Sequence, residues 1–151
     1  MKPIVLLDTG VLGKVTNPKT NQDCLKWLST LEPRSYKVAI PEIADYELRR
    51  ELIRANKLKG IQRLDQLKNE IIYLPITTSV MLYAAKLWAE VRQSGQATAD
   101  PKSLDGDVIL AAQALLQAQQ GYEVIVATTN VKHMSNIFLD LLMHVYGQIS
   151  R

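Results

Sequence analysis

Asp105 and Asp107 stand two residues apart at the head of the apolar stretch LDGDVILAAQA, residues 104–114. Carboxylates at a helix start cap backbone N–H groups and answer the positive end of the helix dipole. The same groups can also offer oxygen to a cation. Residues two apart do not share a helix face, so the two tasks divide: Asp105 as the structural cap and Asp107 as the ligand, with the reverse assignment as the alternative. Three further oxygen-bearing side chains sit near aliphatic runs: Asp8 directly after IVLL, Glu47 in the segment after YKVAI, and Asn130 just beyond VIVAT. Carboxylates gathered without a counter-ion repel and raise one another's pKa, and a divalent cation removes that penalty. Hard oxygen donors select magnesium or manganese over zinc, for which one Cys and two His offer no closed ligand set. An ion at an open site activates water and stabilises the charge of in-line attack on a phosphodiester.

The elements that must position these residues follow from hydrophobic spacing. IVLL at 4–7, YKVAI at 36–40, IIYLPI at 71–76 and VIVAT at 124–128 have the length and composition of buried strands. Helical patterns lie between them: Cys24, Leu25, Trp27, Leu28 and Leu31; a helix opened by Pro41 and running to about Ala55; Leu58, Ile61, Leu64 and Leu67; and Val80, Tyr83, Ala84, Leu87, Trp88 and Val91. Trp27 and Trp88 lie on apolar stripes and are expected in the core. SGQATADPKS at 94–103 reads as a loop leading into the helix of Asp105 and Asp107, which Gly121 can end. This alternation predicts a three-layer α/β/α sandwich with a mainly parallel central sheet of four or five strands. Ligands of such sheets bind outside the carboxyl ends of the strands, where Asp8, Glu47, Asp107 and Asn130 can converge.

The chain of 151 residues is sized for one domain spanning its whole length. Hydrophobic content of 47% against 22% charged residues excludes wholesale disorder. The single Cys24 fits a reducing compartment, and no apolar run reaches the length of a membrane span, so a cytoplasmic location is expected. The net charge of +3 is unevenly spread: Arg49 to Lys68 carries seven basic residues against Glu51 and Asp65. Such a segment either tracks a phosphate backbone, with Arg54 and Lys57 as contacts, or forms a solvated helix face.

Taken in order, the segments resemble the motifs of the PIN-domain ribonucleases, many of which are toxins of bacterial toxin-antitoxin pairs. LLDTGVL at 6–12 is similar to the opening aliphatic-Asp-Thr-Asn-Val-Leu motif, with Gly10 in place of the usual asparagine. IPEIADYEL at 40–48 resembles the second motif, whose glutamate precedes a leucine and so selects Glu47. DVILAAQA at 107–114 resembles Asp-x-x-Ile-Ala-Ala and selects Asp107. ATTNVKHM at 127–134 resembles Thr-x-Asn-x-x-Asp-Phe, with His133 and Met134 at the last two places.

The resemblance covers residues 4–134. It implies a parallel α/β sandwich, magnesium or manganese as cofactor, and RNA as substrate. It implies catalytic roles for Asp8, Glu47 and Asp107, with Asp105, Asn130 and His133 as further metal ligands. A homodimer and an antitoxin partner also follow from it. Thr9 and Thr129 would hydrogen-bond to acidic ligands or satisfy backbone at strand exits. An imidazole at position 133 predicts a preference for manganese, because its nitrogen is a softer donor than a carboxylate. The tail NIFLDLLMHVYGQISR matches no pattern.

Two other motifs are mimicked. LLDTG has the Asp-Thr-Gly of aspartic proteases, but those are all-β and this chain carries helical stripes. Asp105-Gly106-Asp107 has the Asp-x-Asp of haloacid-dehalogenase-type phosphatases, a motif that belongs at a strand end rather than on a helix. The alternative of a different class is a PIN-like module, catalytically weak or inactive, that binds RNA or protein. The departures at Gly10 and His133 favour it.

Overall fold

Each aliphatic run forms a strand of one parallel sheet. A computed structural model describes residues 2–17, 19, 22–93 and 101–129. In chain order the elements are β1 (Pro3–Leu7), α1 (Thr9–Thr16), α2 (Gln22–Leu31), a 3₁₀ turn (Glu32–Arg34), β2 (Lys37–Pro41), α3 (Glu42–Arg54), α4 (Leu58–Glu70), β3 (Ile72–Leu74), α5 (Thr78–Gln93), α6 (Pro101–Gln119) and β4 (Glu123–Ala127). The strands lie in the order β3-β2-β1-β4, every pair parallel, with Val5 opposite both Val38 and Ile125.

Side chains two apart on a strand leave the same face, and the core divides accordingly. Ile4, Leu6 and Ala39 pack beneath α5 and α6 with Val80, Leu87, Val108 and Leu115. Val5, Leu7, Val38 and Ile40 pack on the other side with Val11, Leu12, Leu31 and Leu64. Helix α3 serves both layers, sending Ile43 to the first and Ala44 to the second. The result is the three-layer sandwich that the alternation predicts, with six α-helices among the described residues.

This strand order carries the functional consequence. From β1 the chain moves outward through β2 and β3, then returns to place β4 on the opposite side of β1. The connections therefore part between β1 and β4, which opens a crevice at the carboxyl ends of those two strands.

Local structure differs from the sequence expectation in three places. Residues 9–16 form α1, a helix whose two glycines hide its periodicity. Helix α6 starts at Pro101, a residue preorganised for the first helical turn, so Asp105 lies within the helix and does not cap it. That corrects the capping role assigned to Asp105. Trp27 and Trp88, expected in the core, are each 38% exposed and lie outside it. Gly121, with φ of 94°, ends α6 as expected.

Candidate active site

Asp8 leaves β1 with extended backbone and caps α1: its Oδ1 accepts the Val11 N–H at 2.9 Å. Its own N–H donates to the Ala127 carbonyl at 3.1 Å, tying the end of β1 to the end of β4. The carboxylate is 8% exposed, so it is held at the floor of the crevice. The next residue, Thr9, donates its hydroxyl to Glu47 Oε1 at 2.9 Å, across 38 residues of sequence. One oxygen of each acid is thereby oriented by a neutral donor.

Helix α6 closes on the same point through Gly106. A Cβ at this position would stand 2.8 Å from Glu47 Oε2, so the missing side chain lets the helix backbone approach the carboxylate without displacing it. Gly10 admits a neighbour in the same way: a Cβ there would collide with Thr129 Oγ1 and lie 3.6 Å from Asp8 Oδ1. The departure from the usual asparagine at position 10 thus has a steric reason, because the Thr129 hydroxyl occupies the space of a side chain. Four remote segments, carrying Asp8 to Gly10, Glu47, Gly106 and Thr129, meet at the carboxyl ends of the strands.

The first two turns after β2, residues 42–48, offer three acids, and the fold separates them. Glu42 accepts the Ile76 N–H at 2.8 Å and the Tyr73 hydroxyl at 3.2 Å. Asp45, 3% exposed, is held by Arg49 through Nε at 2.7 Å and Nη2 at 3.2 Å, and Arg49 reaches Asp65 of α4 at 2.8 Å. The hydrogen bond that it donates to Asp45 holds the Arg49 guanidinium well above its ordinary pKa. Burial, then the charges of Asp45 and Glu42, pushes the Tyr73 hydroxyl upward as well. Buried Gln113 completes this structural network, donating to the Leu74 carbonyl at 2.7 Å and accepting from the Ile43 N–H at 3.4 Å. Of the three acids, Glu47 is the one bonded to the turn of Asp8 and Thr9.

The other expected site residues are placed as follows. Asp107 is half-buried on α6, one residue beyond Gly106, while exposed Asp105 lines a groove between α5 and α6 with Met81, Ala84, Trp88, Val108 and Ile109. Arg54 is exposed and pairs with Glu51 at 2.8 Å, a contact that holds Glu51 below the ordinary carboxylate range. Lys57 is exposed beyond the end of α3. Asn130, His133 and the C-terminal tail lie outside the described residues. Gly106 was not singled out from the sequence, yet a glycine inside an apolar helix costs about 1 kcal/mol relative to alanine and is itself a sign of close approach.

Asp8, Glu47 and Asp107 supply oxygen donors only, a chemistry that fits a hard divalent cation. Among the described residues no three Asp, Glu, His or Cys side chains form a group that could hold a metal ion.

A comparison with protein families matches the PIN domain over residues 5–132. The chain belongs to the PIN domain family. PIN domains are generally nucleases and typically use a divalent metal. The solved structures that this PIN domain resembles include VapBC2 from Rickettsia felis bound to a DNA fragment from their promoter. That likeness has a TM-score of 0.69 at 19% identity, covering 88% of this chain and 92% of the other. FitAcB from Neisseria gonorrhoeae gives a TM-score of 0.60 at 22% identity, covering 88% and 92%. FitAB bound to an IR36 DNA fragment gives 0.61 at 22%, covering 88% and 90%. At these identities the likeness establishes the fold. No curated protein matches the chain in sequence. Among the described residues no helix is long and apolar enough to cross a membrane.

Proposed function

We propose that this PIN domain is an endoribonuclease dependent on magnesium or manganese, and the toxin of a toxin-antitoxin pair. The observation that carries this reading is the bond from Thr9 to Glu47, which brings the acid of α3 to the turn capped by Asp8, beside Gly106 of α6. Asp8, Glu47 and Asp107 would hold the cation, with Asp105, Asn130 and His133 as further ligands. A bound divalent ion activates water and offsets the charge of in-line attack on a phosphodiester.

The chain's own residues do the positioning. The Val11 N–H and the Thr9 hydroxyl each orient one carboxylate in advance, which lowers the cost of ordering the site on binding. Thr9 and Thr129 bring hydroxyl groups to the crevice as substrate contacts. Arg54 ends α3 and Lys57 lies just beyond it, and the exposed Arg54–Glu51 pair, worth little in water, gives way to a phosphate. The neighbours VapBC2 and FitAB are antitoxin-bound complexes on DNA, which supports an antitoxin protein as partner. A cytoplasmic homodimer completes the reading.

The test is cleavage of RNA by the purified chain with magnesium or manganese, compared with Asp8→Asn. Asparagine keeps an oxygen for the Val11 N–H, so the α1 cap and the melting temperature are expected to survive. Loss of an outer partner of a metal site costs ten- to a hundredfold, so losing a ligand should lower cleavage at least about a hundredfold. Equal cleavage by variant and wild type overturns the assignment. Binding of RNA and metal by wild type without cleavage establishes the alternative, a module that does not cut.

A further inference from the structure

We infer that Tyr46 and Arg50, on the face of α3 next to that of Glu47, form a platform for a single-stranded nucleic acid, Tyr46 stacking on a base and Arg50 meeting the adjoining phosphate. The inference rests on the nuclease reading and names the form of substrate which that site takes. An exposed tyrosine alone needs no explanation. The combination at this place does.

Tyr46 is 56% exposed and precedes Glu47, so the two side chains leave the helix about 100° apart from neighbouring Cα atoms. Arg50, one turn on, places its guanidinium 5.1 Å from the centre of the Tyr46 ring, within cation–π range. Its neighbours on α3 are paired within the chain, Arg49 with Asp45 and Asp65, and Arg54, in a weaker exposed pair, with Glu51. Among the described residues Arg50 stands in none of these ion pairs and feels only the charge of exposed Glu51, which Arg54 already holds, so its guanidinium can still meet a phosphate. Ile53, 57% exposed, extends the ridge by a further turn. An aromatic face, a cation aligned on it and an acid of the site one residue away match what an unpaired strand offers: a π-surface, a phosphate and a backbone leading to the cleavage point. A duplex keeps its bases stacked inside and has no face to give Tyr46.

The test is fluorescence anisotropy of a labelled single-stranded RNA and of its blunt duplex, in EDTA so that no cutting occurs. The full chain is compared with Tyr46→Ala, Tyr46→Phe and Arg50→Gln. Wild type should prefer the single strand. Tyr46→Ala should weaken single-strand binding about tenfold, with duplex binding unchanged, and Tyr46→Phe should retain it. Arg50→Gln should reduce the salt slope of log affinity by about 0.7, the share of one phosphate contact on a single strand. If Tyr46→Ala binds and cleaves like wild type, the platform is overturned and the nuclease reading stands. If wild type neither binds nor cuts RNA with metal restored, both fail. If Tyr46→Ala changes the sedimentation coefficient but not RNA affinity, the ridge is a protein contact and the platform is overturned.

Discussion

Helix α3 contributes one carboxylate to each of two sets of acids, and the sets are held in opposite ways. Asp45, 3% exposed, has both oxygens on the Arg49 guanidinium, which also reaches Asp65, so its charge is answered by a cation within the fold. Asp8 and Glu47 are held by an amide N–H and a hydroxyl, donors that orient a carboxylate without cancelling it. Buried negative charge left uncompensated is unfavourable for folding. It is also what attracts a metal ion. The contrast separates an acid that clamps α3 to α4 from acids held only by neutral donors, the condition that the proposed metal site requires.

The largest expected effect breaks the clamp. Arg49→Ala strands the Asp45 charge in the core and should destabilise the chain by about 3 kcal/mol, the lower end for a broken buried pair because Arg49 is itself 27% exposed. Arg49→Leu combined with Asp45→Leu removes both charges and should recover much of that loss. Urea unfolding measures both, and an Arg49→Ala variant as stable as wild type would show that the pair compensates nothing. Asp8→Asn, by contrast, should leave the unfolding curve in place while cleavage falls.

A smaller effect sharpens the other side of the contrast. Gly106→Ala gains up to about 1 kcal/mol of helix propensity. Its methyl group presses on Glu47 Oε2, which is held in place through the Thr9 bond at Oε1. We expect a melting temperature equal to or above that of wild type and cleavage reduced about tenfold, a misplacement cost of the kind that small shifts in an active site bring. Unchanged cleavage would mean that the position of Glu47 does not matter to the chemistry.

The smallest effect lies at the edge of the structural network. Burial and the nearby acids raise the Tyr73 hydroxyl above its ordinary value. The unfolded chain starts to lose this proton near pH 10 while the folded chain keeps it, so the contribution is complete below pH 10 and is lost as pH rises through the folded value. Tyr73→Phe should cost about 1 kcal/mol at neutral pH through the lost bond to Glu42. It should also flatten the alkaline fall in stability. Parallel curves for the two proteins above pH 10 would remove Tyr73 as the cause.

Much of the architecture was legible in the sequence because hydrophobic periodicity is a local property. The aliphatic runs of β1 and β2 need both faces covered whatever their neighbours, and the alternation of aliphatic runs with helical stripes leaves a parallel sheet as the outcome. Asp8, directly after such a run, had to emerge at a strand end. Helix α1 was missed because Gly10 and Gly13 thin out its apolar pattern, and the start of α6 was missed because the sequence SGQATADPKS carries no periodicity.

The choice among Glu42, Asp45 and Glu47 could be drawn from the chain only by family resemblance, since all three are acids on one short segment. In the fold it rests on partners: Ile76 and Tyr73 for Glu42 and Thr9 for Glu47, all far away in sequence, and for Asp45 the Arg49 one helical turn on, which Asp65 of α4 also holds. The sequence by itself determined the layers and the exit of Asp8, since the need to bury apolar faces is written into each segment. Only the tertiary structure decided which acids have their charge cancelled and which keep it, because charge compensation depends on distance in space.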